Sequence, residues 1–160
     1  MSKPQCPASV WRNPIHFMAF GFGSGAMPFA PGTFGTLIAV PVYIGLMGLP
    51  GWAYFMVLLL MFAVGVWLCD KTSRDLGVHD HSGIVWDEIV GYLITMMGAP
   101  LGWMWLLIGF VLFRLFDILK PWPISWLDKE LKGGFGIMMD DVAAGLLALL
   151  GVQLISHFLA

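Results

Sequence analysis

Residues 84–102 read IVWDEIVGYLITMMGAPLG, and the fold turns on how this stretch lies. From Ile84 to Ala99 the only charged side chains are Asp87 and Glu88, at its beginning. As a helix this stretch reaches about 24 Å at 1.5 Å per residue, short of a hydrocarbon core about 30 Å thick. Gly98-Ala99-Pro100-Leu101-Gly102 then reads as a helix stop and turn. The pattern predicts a short, tilted or re-entrant segment that hairpins into the apolar run Leu101–Ile118.

Outward from this hairpin, Phe34–Leu49, Trp52–Cys69 and Val142–Leu159 also approach the roughly 17–25 residues that cross a bilayer as helix. The composition agrees: of 160 residues, 59% are hydrophobic and 11% charged, where soluble domains average about 25% charged. Mean hydropathy is +0.83. The expectation is an all-α polytopic membrane bundle: one membrane-embedded domain over residues 1–160 with about five membrane segments, one of them short or re-entrant. Trp11–Phe22 mixes Trp, Phe and His with Arg12, which suits an N-terminal interfacial segment; a loose tail is the alternative. No basic stretch leads into an apolar run with a cleavage site, so no removable signal peptide is read.

Placing the charges on this path tests it. With the N-terminus on one side, the Pro50–Gly51 connection, the turn at 99–102 and residue 160 fall on the other, and none carries a charge. All 8 basic and all 10 acidic residues fall on the first side or in span ends facing it. The positive-inside rule makes that side the cytoplasm. A net charge of -2 offers no basic field for a nucleic-acid backbone. Cys6 and Cys69 show neither metal-ligand nor disulfide spacing.

Three polar clusters recur at the charged border: Asp80 to Glu88, Arg114 to Pro123, and Gly133 to Asp141. Ionisable groups at membrane depth are costly and read first as functional. Asp87, Glu88, Asp140 and Asp141 admit a second reading, as acids in the first turn of a helix favoured by its dipole. Asp117 does not, because it lies near the end of its span, where the dipole disfavours an acid. Arg114, Asp117 and Lys120 share a helical stripe, which is either a salt-bridge ladder or a phosphate clamp beside a metal ligand. Mg²⁺ takes hard oxygen ligands, commonly one or two carboxylates plus phosphate oxygens, and Asp87, Glu88, Asp117, Asp140 and Asp141 supply enough for one ion or two.

The Gly-rich stretch Gly21–Thr36 leads into the first span, with backbone amides plus Thr33 and Thr36 hydroxyls as candidate phosphate donors. A plain membrane-entry loop is the other reading. Cys6 and Arg12 fit the bare spacing of cysteine phosphatases, but Pro7, Val10 and Trp11 occupy places where a phosphate cradle wants small residues and free amides. The cysteine is therefore not read as a nucleophile.

These motifs together resemble the phosphatidylglycerophosphatase A family of bacterial membrane enzymes. The resemblance runs from Gly23–Thr36 (GSGAMPFAPGTFGT), through Ile84–Gly91 (IVWDEIVG) and Phe113–Pro123 (FRLFDILKPWP), to Gly133–Gly145 (GGFGIMMDDVAAG). It implies a Mg²⁺-dependent hydrolase of the inner membrane that converts phosphatidylglycerophosphate to phosphatidylglycerol. On that expectation Asp87, Asp117, Asp140 and Asp141 are catalytic, the same acids with Glu88 hold the metal, and Thr33, Thr36, Arg114 and Lys120 bind substrate. A transporter coupling through its carboxylates, or a non-catalytic lipid-binding scaffold, are the rival classes; the first needs acids at mid-membrane depth.

Overall fold

A computed structural model describes residues 6–159, and every regular element among them is helical. Short 3₁₀ turns at Ala8–Trp11 and Ser24–Ala26 flank α1 (Pro14–Ala19). Then follow α2 (Pro31–Leu46), α3 (Gly51–Leu76), α4 (Trp86–Thr95), α5 (Trp103–Leu119), α6 (Ile124–Glu130) and α7 (Gly133–Leu159). Two of these, α3 and α7, are long and apolar enough to cross a membrane, and α2 is a shorter apolar helix. Large apolar side chains such as Leu60, Leu107, Leu150 and Leu154 point outward, between 54% and 64% exposed. A surface of that kind is one that associates with a membrane.

Both long helices run past the apolar stretches that announce them. After Cys69, α3 continues through a polar end tied together by the i,i+4 pairs Arg74–Asp70, 2.8 Å, and Lys71–Asp75. It stops at Gly77, whose φ of 66° lets its N–H reach back to the carbonyls of Ser73 and Arg74. At the other long helix, α7 begins at Gly133 rather than Val142. Gly134 makes this possible, since a β-carbon there would lie 2.6 Å from the backbone nitrogen of Asp70. The first-turn reading of Asp140 and Asp141 is thereby corrected: they sit about two turns inside α7 and cap nothing. Asp87 and Glu88 do occupy the first turn of α4.

The hairpin segment is shorter than its apolar pattern. Instead of 16 residues, α4 has 10, about 15 Å of helix, because the chain turns at Ile84–Val85 and again after Thr95. It occupies the middle of the bundle, packed against α2, α3, α5 and α7. Glycines set the approach: a β-carbon on Gly91 would stand 2.5 Å from the Phe113 ring, and one on Gly145 would stand 2.5 Å from the Gly91 carbonyl. A helix ending inside an apolar interior leaves carbonyls without partners, and protein side chains must meet them. The Tyr54 hydroxyl donates to the Leu93 carbonyl at 2.6 Å, and Gln153 Nε2 donates to the carbonyls of Met97 and Gly98, 3.2 Å each.

Cross-contacts fix the directions. Tyr54 meets Leu93 while Trp86 Nε1 donates to the Met61 carbonyl, so α3 opposes α4. Tyr92 donates to the Leu106 carbonyl and Lys120 pairs with Asp140, so α5 opposes both α4 and α7. Gly35 lies against Val85 and Gly32 against Glu88, so α2 enters beside the start of α4. The N-terminal segment is packed rather than loose: Val10, Ala19 and Phe20 are fully buried, and His16 bridges Ser9 and Asp75 of α3.

Gly91→Ala is expected to cost about 1–3 kcal/mol through overpacking against Phe113. Gly45→Ala, at a helical position with nothing nearby, should be neutral or slightly stabilising. Thermal unfolding of the two variants in detergent measures the contrast.

Candidate active site

One cavity of about 320 Å³ gathers the three polar clusters. The first turn of α4 supplies Asp87 and Glu88, the last turns of α5 supply Arg114 and Asp117 with Lys120 at its C-cap, and α7 supplies Asp140 and Asp141. The loop before α4 adds Asp80 and Ser82, and the start of α2 closes one wall with Ala30, Pro31 and Gly32. Gly32 has no room for a β-carbon, which would strike Glu88 Oε1 and lie 3.0 Å from Arg114 Nη1.

The acids divide into two groups by their partners. Arg114 is paired with Asp117 one turn on and lies 4.0 Å from Glu88. Lys120, whose backbone turns to a φ of 44°, spans Asp128 of α6 at 2.9 Å and Asp140 at 2.8 Å. Its hydrogen bond holds the Asp128 carboxyl below the usual carboxylate range. By contrast, Asp87, Glu88 and Asp141 turn toward one another, each offering an oxygen within 4.8 Å of the others. Asp87 Oδ1, Glu88 Oε2 and Asp141 Oδ2 are buried without a hydrogen-bond partner.

Six carboxylates therefore line a cavity with two cationic side chains. Three carboxylates that each place an oxygen within 4.8 Å of the others, and each keep one buried oxygen without a partner, are unfavourable alone and fit a hard divalent cation. This donor set passes the chemical test for Mg²⁺: three acids, all-oxygen, with second partners for neighbouring acids already in place.

Seven residues singled out in the sequence thus meet in one place. Thr33 and Thr36 do not join them: Thr36 is fully buried and its hydroxyl donates to the Gly32 carbonyl at 2.9 Å, while Thr33 is half-buried outside the cavity wall. Cys6 is also elsewhere; its thiol donates to the Pro7 carbonyl and burial pushes it up, away from the thiolate. Sequence reasoning passed over Asp80, Ser82 and Asp128. The first two lie in the quoted acidic stretch, but Asp128 reads as one charge in a polar connection, and only folding brings α6 beside Lys120.

In EDTA, Asp141→Asn is expected to unfold no earlier than the unchanged protein, because it relieves repulsion in the cavity. Millimolar Mg²⁺ should raise the melting temperature of the unchanged protein and leave that of the variant in place. Equal Mg²⁺-dependent rises would remove Asp141 from the cation site.

The family model described as phosphatidylglycerophosphatase A matches residues 17–156. The chain is 47% identical over 146 residues to phosphatidylglycerophosphatase A of Escherichia coli (strain K12), covering 91% of this chain and 85% of that one. It is 48% identical over 149 residues to the phosphatidylglycerophosphatase A of Haemophilus influenzae, covering 92% and 91%. No solved structure matches. The four segments that line or approach the cavity all fall inside the matched region, and the chain belongs to the phosphatidylglycerophosphatase A family.

Proposed function

We propose that this chain hydrolyses phosphatidylglycerophosphate to phosphatidylglycerol and inorganic phosphate, acting as one membrane-embedded domain over residues 1–160. The observation that carries the reading is the convergence of Asp87, Glu88, Asp117, Asp140 and Asp141 with Arg114 and Lys120 on one cavity, in a chain of this family. A transporter is less well supported, because the acids gather at one end of the bundle instead of at its middle.

In this reading Arg114 and Lys120 neutralise oxygens of the terminal phosphate. Asp117 holds the guanidinium in place, and Asp128 keeps the Lys120 ammonium over the cavity. Asp87, Glu88 and Asp141, with Asp117 and Asp140 beside them, are the residues that would hold Mg²⁺. When bound, the ion would supply positive charge to the phosphate oxygens and lower the pKa of a water. Water adds to phosphorus, the bond from phosphorus to the glycerol oxygen breaks, and a proton passes to that oxygen as the lipid alcohol leaves. The carboxylates of the cavity accept the proton the water gives up.

For the membrane, α2, α3, α4, α5 and α7 form the five segments, with α4 as the short one, and the stretch before α2 lies in the interface. The alternating helix directions support this path. The one-sided charges put the cavity on the cytoplasmic face of a bacterial inner membrane.

Purified protein should release phosphate from phosphatidylglycerophosphate with Mg²⁺ and stop in EDTA. Asp117→Asn, which has no capping role to lose, should insert normally yet turn over more slowly by a factor on the order of 10² or more, without rescue by higher Mg²⁺. A rate near that of the unchanged protein takes Asp117 out of the mechanism. Separately, cysteine labelling should find residues 70–83 and 119–140 on the cytoplasmic face and residue 160 on the opposite one. Labelling of positions 132 and 160 from the same side would overturn the five-segment path.

A further inference from the structure

A second cavity, about 340 Å³, adjoins the acidic one and shares Ala30, Pro31 and Ser82 with it. Its volume falls in the range of small-molecule sites, about 300–1,000 Å³. Unlike its neighbour it contains no acid. The Gly25–Pro31 stretch and Cys6 form one wall, and His81, Ser82 and Gly83 form the other. The two walls are pressed together at Gly25 and Gly83, where a β-carbon on Gly25 would run into the Gly83 carbonyl. Met27 and Phe29, 37% and 57% exposed, form apolar parts of its lining.

His81 is the polar side chain this cavity is built around. It is 6% exposed, its ring lies 5.4 Å from that of Phe20, and Nδ1 accepts the Gly83 N–H at 3.0 Å. That bond fixes the neutral tautomer with hydrogen on Nε2. Among the described residues Nε2 has no hydrogen-bond partner. An N–H that the protein leaves unpaired, carried by a side chain that lines a cavity, is a donor available to an acceptor in that cavity.

We propose that this cavity is the subsite for the glycerol–phosphodiester part of the substrate, the portion between the scissile phosphate and the acyl chains, with His81 Nε2–H as its specifying donor. The proposal rests on the function given above and adds how the lipid is told from smaller phosphate monoesters. The acidic cavity takes the terminal phosphate; the glycerol and its second phosphate continue past Ala30, Pro31 and Ser82 into a region free of carboxylates. That second phosphate is an anion, and a cavity lined by a neutral donor and no carboxylate receives it where the acidic wall would repel it. The acyl chains leave past Met27 and Phe29 toward lipid. His81 is here a specificity-determining residue that binds and takes no part in bond cleavage.

The test separates binding of the two parts. With phosphatidylglycerophosphate in mixed micelles, His81→Ala should raise KM about tenfold, the factor for loss of one hydrogen bond of ordinary strength. Its kcat should stay within about twofold, and inhibition by inorganic phosphate, which needs only the acidic cavity, should be unchanged. Ala26→Leu, which fills the cavity from the opposite wall, should show the same split and decides the matter if His81→Ala does not fold. A KM unaltered in both variants, or phosphate inhibition weakened in parallel with KM, overturns the subsite. If the unchanged protein releases no phosphate from this lipid, the hydrolase function itself falls, and the subsite with it.

Discussion

Mutual repulsion among carboxylates in a confined space is the constraint around which this molecule is arranged. Six acids share a cavity with Arg114 and Lys120, and Coulomb repulsion at such separations grows as water is excluded. The two cations relieve it locally, each tied to acids from its own or a neighbouring helix. Beyond those pairs, Asp87 Oδ1, Glu88 Oε2 and Asp141 Oδ2 are buried with no hydrogen-bond partner, and Arg114 comes no nearer to Glu88 than 4.0 Å. A fold that keeps such a group has to be held by something other than the group itself, and the apolar packing below it does that.

That packing depends on close backbone approach. Gly91, Gly145 and Gly134 each sit where a β-carbon would overlap a neighbouring helix, and Gly35 where it would overlap Val85 at the entry to α4. Dispersion between closely approaching helices, rather than water-driven burial, is what remains available among apolar surroundings. The result brings α4 and α7 near enough that Asp87 and Asp141, from different helices, place oxygens within 4.8 Å of each other. The geometry of the acidic cavity and the placement of the glycines are thus one feature seen from two sides.

Much of this was legible in the chain. Apolar run lengths located α2, α3, α5 and α7, and three polar clusters recurring at one border depth grouped Asp87, Glu88, Arg114, Asp117, Lys120, Asp140 and Asp141. The limits were those of hydropathy. It stops where charge begins, whereas helix continues wherever i,i+4 pairs and glycine contacts permit, which is why α3 runs to Leu76 and α7 starts at Gly133. Nor does an apolar pattern distinguish a full helix from a half-helix: the chain leaves α4 after Thr95, and the supports for that exit, Tyr54 and Gln153, lie far away in sequence. Thr36 was misleading for a related reason, since a hydroxyl in a helix can satisfy its own backbone and face no ligand at all.

The polar supports at the far end of α4 carry an electrical meaning as well as a structural one. A ten-residue helix in apolar surroundings is a short, poorly screened dipole with its positive pole at Trp86–Glu88, on the floor of the acidic cavity. Its negative pole, at Leu93–Gly98, is the end that Tyr54 and Gln153 blunt with donated hydrogens. Damping one pole of so short a dipole leaves the other dominant, so two neutral side chains on the opposite side of the bundle tilt the local potential of the cavity toward anions. Residues remote from the cavity thereby help set its potential.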